Sequence, residues 1–281
     1  MIDHKNLFDL TNKTALITGG GGLLGPQWAE AIIRCGGNVV LGDVNLEAAT
    51  SVAATLNEKY KSDSVKAVLL DVTHPDSVKT TFQSISRLDI LINNAAKDPK
   101  VKKTESLNTE TRFETMTFAY WQEGIDAIIN GTFLCSQAAV VKMLDNSLSS
   151  RGNRGVIVNI ASDLAVIAPD QRIYRKQGLD WHQQPVKPIT YSAAKYAVVG
   201  MTKYMATYFA EKGIRVNCLS PTGVFNNHPE DFVTKLSSII PMGRMAHIDE
   251  YQAAMMFLCS DEASSYMTGH NLVIDGGKTV W

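Results

Sequence analysis

Thr14-Ala15-Leu16-Ile17-Thr18-Gly19-Gly20-Gly21-Gly22-Leu23-Leu24-Gly25 is the stretch that decides the fold. A short β-rich run ends in four glycines, and a helical pattern opens at Leu24. Glycines at such a turn let the backbone approach a pyrophosphate closely. The helix start beyond them supplies unpaired N–H groups and the positive end of its dipole. Working outward, the same alternation runs almost throughout. Strands are expected at 14–18, 38–43, 66–71, 89–93, 155–161, 215–218 and 271–274. Helices are expected near 24–35, 46–60, 76–86, 120–144, 190–212 and 249–260, the third starting at Thr73-His74-Pro75-Asp76 with a capping hydroxyl. This order implies an α/β fold: a doubly wound parallel sheet with helices on both faces. No repeat, linker or composition shift divides the chain, so residues 1–281 are read as a single dinucleotide-binding domain.

Composition narrows the class. Apolar residues make up 45% and charged residues 20% of the 281, in keeping with a substantial core. A net charge of −1 argues against a nucleic-acid partner. Cys35, Cys135, Cys218 and Cys259 are far apart without CxxC spacing, so they read as reduced core thiols, and no metal site is expected. No signal-like run and no stretch near the length of a membrane helix is apparent, which points to a cytoplasmic protein without a membrane partner.

Several polar residues fall where a ligand should lie. Asp43 ends the second strand and can accept from both hydroxyls of an adenosine ribose while repelling a 2′-phosphate. Neither Gly20–Gly22 nor Val44-Asn45 offers a base to offset that charge, so NAD is favoured over NADP. Asp71 ends the third strand ahead of Val72, and Asn94, Ala95 and Ala96 follow the fourth. Tyr191 and Lys195 share one helix face, and a cation beside a phenol favours the phenolate that acid/base work requires.

With these residues in place, the chain resembles the short-chain dehydrogenase/reductase family along nearly its whole length. The matching pieces are the Gly-rich turn, Asp71-Val72, Asn93-Asn94-Ala95, Val158-Asn159-Ile160-Ala161-Ser162, Tyr191-Ser192-Ala193-Ala194-Lys195, Val216-Asn217-Cys218-Leu219-Ser220-Pro221 and the segment from Thr268 to Gly277. The resemblance implies a Rossmann-type sheet and hydride exchange between a secondary alcohol and NAD. It places the catalytic serine, tyrosine and lysine on Ser162, Tyr191 and Lys195. It also implies cofactor contacts at Gly19, Gly22, Leu23, Leu24, Gly25, Asp43, Asp71, Val72, Asn94, Ala95, Ala96, Tyr191, Lys195, Pro221 and Val224, and assembly as a homodimer or homotetramer. Three positions depart from the family pattern. Leu23 stands where a further glycine is usual, Asn226 aligns with a threonine that touches the nicotinamide, and Ile128 replaces an asparagine of the catalytic set. Ile128 cannot relay a proton, so a catalytically impaired dinucleotide-binding protein is one alternative. A 3-oxoacyl carrier-protein reductase is another, with Asp43 against it. Ser162 as a hydrolase nucleophile has no supporting elbow pattern around it.

Two segments break the rhythm. Residues 97–111 form a lysine-rich polar stretch, and residues 169–189 separate Ser162 from Tyr191 by 28 intervening residues, more than the family's usual connection. Arg172, Arg175, Lys176 and Lys187 outnumber Asp170 and Asp180 there by two charges. The insertion is therefore expected to close over the entrance on a Trp181 anchor, with Arg172 and Arg175 binding an anionic small molecule such as a sugar phosphate, nucleotide sugar or acidic sugar. In this it is similar to family members of bacterial surface-sugar and flagellin-modification pathways. A solvated loop is the alternative.

Overall fold

The computed structural model describes residues 6–97 and 111–281. The chain runs β1 (Thr14–Thr18), α1 (Gly25–Arg34), β2 (Asn38–Asp43), α2 (Leu46–Tyr60), β3 (Val65–Leu69), α3 (Pro75–Ser84), β4 (Ile90–Asn93) and α4 (Phe118–Leu144). It continues through β5 (Gly155–Ile160), α5 (Ile189–Phe209), β6 (Ile214–Pro221), α6 (Glu230–Ser237), α7 (Gln252–Cys259) and β7 (Asn271–Ile274). All seven strands join one sheet in the order β3-β2-β1-β4-β5-β6-β7, with every neighbouring pair parallel. Strand order reverses between β1 and β4, and a ligand crevice opens at the carboxyl ends of strands at such a point.

Helices cover both faces, so central strands bury successive side chains to opposite sides and read as unbroken apolar runs. Ile17, Ile92 and Val158 pack with Trp28, Ile32, Tyr251 and Met255. Leu16, Leu91 and Ile157 pack on the other face with Cys135, Ala139, Met143 and Met205. β6 extends further at both ends than the sequence suggests, because β5 and β7 pair with it on either side.

Two local expectations are corrected. Thr73 does not cap α3: its hydroxyl donates to Asp71 at 2.6 Å, the charged acceptor nearer in the chain, and His74 occupies the cap position ahead of Pro75. Helix α4 does have the length and apolar composition to cross a bilayer. Here one face of it is core, with Ile128, Cys135, Ala139 and Met143 buried. α6 was not foreseen, being a short helix after the proline at Pro229.

The insertion is ordered by its own bonds. Gln171 spans its two ends, its amide donating to the Lys187 carbonyl at 3.0 Å while its oxygen accepts the Lys187 N–H at 2.9 Å. Gln184 does the same with the backbone of Lys176. Short 3-10 turns form at Gln171–Tyr174 and Trp181–Gln183. The anchor is Ile173, buried with Leu236, Ile240 and Met245, rather than Trp181. Trp181 stays 72% exposed and stacks on the Arg112 guanidinium at 4.3 Å.

Candidate active site

A cleft of about 1440 Å³ opens along the carboxyl edge of the sheet. One end is built from the Gly-rich turn. Gly19 has φ +64°, and a Cβ there would sit 2.9 Å from the Ala95 Cα. A Cβ on Gly25 would meet the Gly20 carbonyl oxygen at 2.5 Å, so α1 can start this close to β1 only with glycine. Asn94 braces the turn, its amide donating to the carbonyls of Thr18 and Gly19 at 3.0 Å each while its oxygen accepts from Trp28 at 3.0 Å. Asp43 accepts the Gly21 N–H at 2.9 Å and the Asn45 N–H at 2.8 Å, which fixes its carboxylate at the rim with acceptor capacity left over. The Thr73 hydroxyl beside Asp71 holds that carboxyl below the usual range, burial opposing it. Gly19, Gly22, Leu23, Leu24, Asp43, Asp71, Val72, Asn94, Ala95, Ala96, Pro221 and Val224 all line the cleft, whereas Gly25 acts behind the turn.

At the other end Ser162, Tyr191 and Lys195 meet in the same cleft. Ser162 lies two residues past β5 in extended backbone and opens a 3-10 turn whose Leu164 N–H its oxygen accepts at 3.2 Å. Its hydroxyl donates to Asp163 at 2.7 Å. Lys195 is buried, and its ammonium donates to the Ile160 carbonyl at 2.6 Å, 5.6 Å from the Tyr191 ring centre. Beneath lies a buried amide chain: Asn93 donates to Ser136 at 2.9 Å and to Asn159 at 2.8 Å, and Asn159 donates to Thr202 at 2.9 Å. It joins β4 and β5 to α4 and α5, which carry the site.

The insertion contributes cations other than those anticipated. Arg172 is paired with Asp170 at 2.7 Å, and its side chain is 76% exposed outside the cleft. Arg175 lines a second cavity beside Arg112 and Trp181. Arg172 lies two residues from Asp170, and this local carboxylate claims its fork. Lys176 and Lys187 line the main cleft instead, with the Lys187 ammonium 4.1 Å above the Tyr191 ring. Lys97 also lines it, paired with Glu123. The remaining lysines of the 97–111 stretch, Lys100, Lys102 and Lys103, lie outside the described residues.

Residues 13–174 match the family model described as short chain dehydrogenase, and 182–279 match one described as enoyl-(acyl carrier protein) reductase. The chain belongs to the short-chain dehydrogenase/reductase family. It is similar to the D-threitol dehydrogenase of Mycolicibacterium smegmatis, 31% identical over 97% of this chain and 95% of that one. It is 28% identical to a 3-oxoacyl-[acyl-carrier-protein] reductase of Synechocystis, over 97% of this chain and 99% of that one. A short-chain dehydrogenase of Leptospira borgpetersenii solved with NAD+ superposes with a TM-score of 0.80 at 30% identity, covering 100% of this chain and 97% of that one. A gluconate 5-dehydrogenase of Burkholderia cenocepacia, solved with NADP and tartrate, gives 0.81 at 26% identity, covering 98% of each chain.

As a short-chain dehydrogenase/reductase the protein is an oxidoreductase, and its family binds nicotinamide dinucleotides. The cleft fits that group, since Gly19 and Gly22 line it at the turn that leads into the N-terminus of α1, where unpaired N–H groups can meet a pyrophosphate. At the family's asparagine position Ile128 is 1% exposed and packs with Ala161, Ala194, Val198 and Cys218. Asn130, further round α4, donates instead to Asp126 at 2.6 Å. Sequence reasoning missed Lys187 as a cleft cation, and it missed Asp163 and Lys278, although the acid immediately after Ser162 was visible.

Proposed function

We propose that the protein is an NAD-dependent dehydrogenase that interconverts a secondary alcohol and its ketone on an anionic, sugar-type substrate. The observation that carries this reading is the meeting of Ser162, Tyr191 and Lys195 in the cleft that Gly19 and Asp43 open at its other end. Bound NAD supplies the two-electron acceptor. Asp43 would hold its adenosine ribose, and the turn at Gly19–Gly22 its pyrophosphate. Tyr191 takes the substrate's hydroxyl proton in oxidation and returns it in reduction. Lys195 and Lys187 put two positive charges at Tyr191, which stabilise the charge its oxygen carries after losing a proton. Ser162 contacts the substrate oxygen. Ile128 removes one relay residue and leaves these three in the cleft, with the Tyr191 ring packed against its cluster.

Anionic character is supported by Lys176 and Lys187 in the cleft, and by a structural relative that holds tartrate. Placement in the surface-sugar branch rests on the same insertion. Four free thiols suit a reducing compartment, and we place the enzyme in the cytoplasm as a single 281-residue domain. The similarity to a 3-oxoacyl reductase keeps that activity as a second reading, with Asp43 against the NADPH it would use.

The test is turnover with NAD or NADP across threitol, glycerol, gluconate, mannonate and sugar phosphates, read as reduced-cofactor absorbance. We expect the acidic sugars to lead. NAD should bind more tightly than NADP by about 1–3 kcal/mol, and Asp43→Ala should narrow the gap. Equal or tighter binding of NADP would overturn the cofactor assignment. Turnover of acetoacetyl thioesters with NADPH and of no sugar would favour the second reading.

A further inference from the structure

Phe232 and Leu236 stand four positions apart on α6 and so share one face of that helix. Leu236 is buried with Ile173, Ile240 and Met245, while Phe232, one turn nearer the helix start, lines the cleft. The same packing brings Tyr174 of the insertion beside Phe232, with ring centres 5.7 Å apart and planes at 35°. His228, just ahead of α6, meets Phe232 at 5.4 Å and 33°. Tyr174 and His228 line the cleft as well, so three rings at shallow angles form part of its wall.

This wall is held in place. Ile173 anchors one flank of Tyr174 in the core under α6, and on the other flank the Lys235 ammonium donates to the Arg175 carbonyl at 2.7 Å. His228 is oriented by its own loop, its Nδ1 accepting the Asn226 N–H at 3.2 Å. The charges around the rings differ in their engagement. Asp231, beside Phe232, faces Lys235 at 3.8 Å, and Lys176, two residues past Tyr174, lines the cleft.

A fixed wall of rings rewards a ligand that is itself rigid. A pyranose lays one face of C–H bonds against it with its torsions already set, and keeps its hydroxyls at the edge. An open-chain polyol must freeze several torsions to cover the same area, and that entropy is lost from its affinity. We propose that Tyr174, Phe232 and His228 form a ring-binding subsite, and that the substrate is a pyranose bearing an acidic group that reaches Lys176. The inference deepens the reading above, resting on it for the presence of an anionic sugar-type alcohol in this cleft.

The test measures binding by calorimetry to enzyme loaded with NADH, on which no alcohol can be oxidised. Methyl glucuronoside and methyl galacturonoside, whose rings cannot open, are compared with gluconate, an open chain of the same charge. We expect at least one glycoside to bind about 10-fold more tightly than gluconate. Phe232→Leu and Tyr174→Leu should each cut that preference by about 3- to 10-fold, the scale of one ring contact. Phe232→Tyr restores a ring and should keep the preference. An NADH dissociation constant as in wild type shows that each variant retains its fold. Gluconate binding as tightly as both glycosides, binding of none of the three, or a preference that survives both leucine variants overturns the inference. Ring preference without NAD-linked oxidation of either glycoside would fault the proposed reaction and leave the subsite standing. NAD-linked oxidation of gluconate with no ring preference would remove the subsite alone.

Discussion

Tyr191 and Lys195 stand four positions apart on α5, and at the scale of single residues this spacing sets most of the expected chemistry. Tyr191→Phe keeps the ring that packs beside Ile128 but deletes the oxygen that carries the proton. Turnover should fall by at least about 100-fold while the NAD dissociation constant stays within about twofold. Steady-state rates and a cofactor titration check both halves, and wild-type kcat in the variant would mean another group moves the proton. The thiols make a separate prediction. Burial pushes Cys135, Cys218 and Cys259 up to about 12, because a thiolate loses its hydration in the core. Raising the pH from 7 to 9 crosses the ordinary thiol range but not theirs. Native enzyme should therefore leave these three unalkylated by iodoacetamide at both pH values and label all four after unfolding. Rapid native labelling at any of the three would contradict their burial.

Among the elements, the insertion between Ser162 and Tyr191 carries the most specific expectations. Its length and charge excess were readable, but which cations turn inward was not, because Asp170 captures Arg172 and the turn at Gln171–Tyr174 directs Arg175 to the second cavity. The double variant Arg172→Ala/Arg175→Ala should consequently leave KM for gluconate within about twofold. Lys187→Met should raise it by about 10-fold, the scale of one charged contact that serves substrate and transition state alike. The reverse pattern would restore the arginines as the recognition pair. Ile173 holds the segment to α6, and Ile173→Ala should weaken that docking by about 2 kcal/mol. Limited proteolysis should then cut within 169–189 faster than in wild type, and an unchanged cleavage rate would place the anchor elsewhere.

On the scale of the whole molecule, α4 and α5 leave an apolar surface uncovered. Phe133, Val141, Tyr196, Tyr204 and Tyr208 are exposed, and the rings of Tyr204 and Tyr208 stack 5.8 Å apart. Large apolar groups clustered on a surface mark an interface, and identical chains pair most readily about a two-fold axis. Sedimentation should give a homodimer or homotetramer, and Tyr204→Glu/Tyr208→Glu should shift the population toward smaller species. A monomeric wild type at micromolar concentration would refute the assembly.

Sequence alone determined the alternation, the glycine turn, the acid at Asp43 and the Tyr191–Lys195 pair, because each is written in residue type and short-range spacing. Ile128 was legible in the same way, as a missing amide at a known offset. Tertiary structure decided what depends on distant pieces of chain meeting. Lys278 lies 115 residues from Asp163, and Asn93, Asn159 and Thr202 join only when β4, β5 and α5 pack. It also decided that one face of α4, a helix apolar enough for a bilayer, is core, since burial depends on neighbours rather than composition. Local patterns set which elements form and what chemistry they carry, and packing sets which charges face one another.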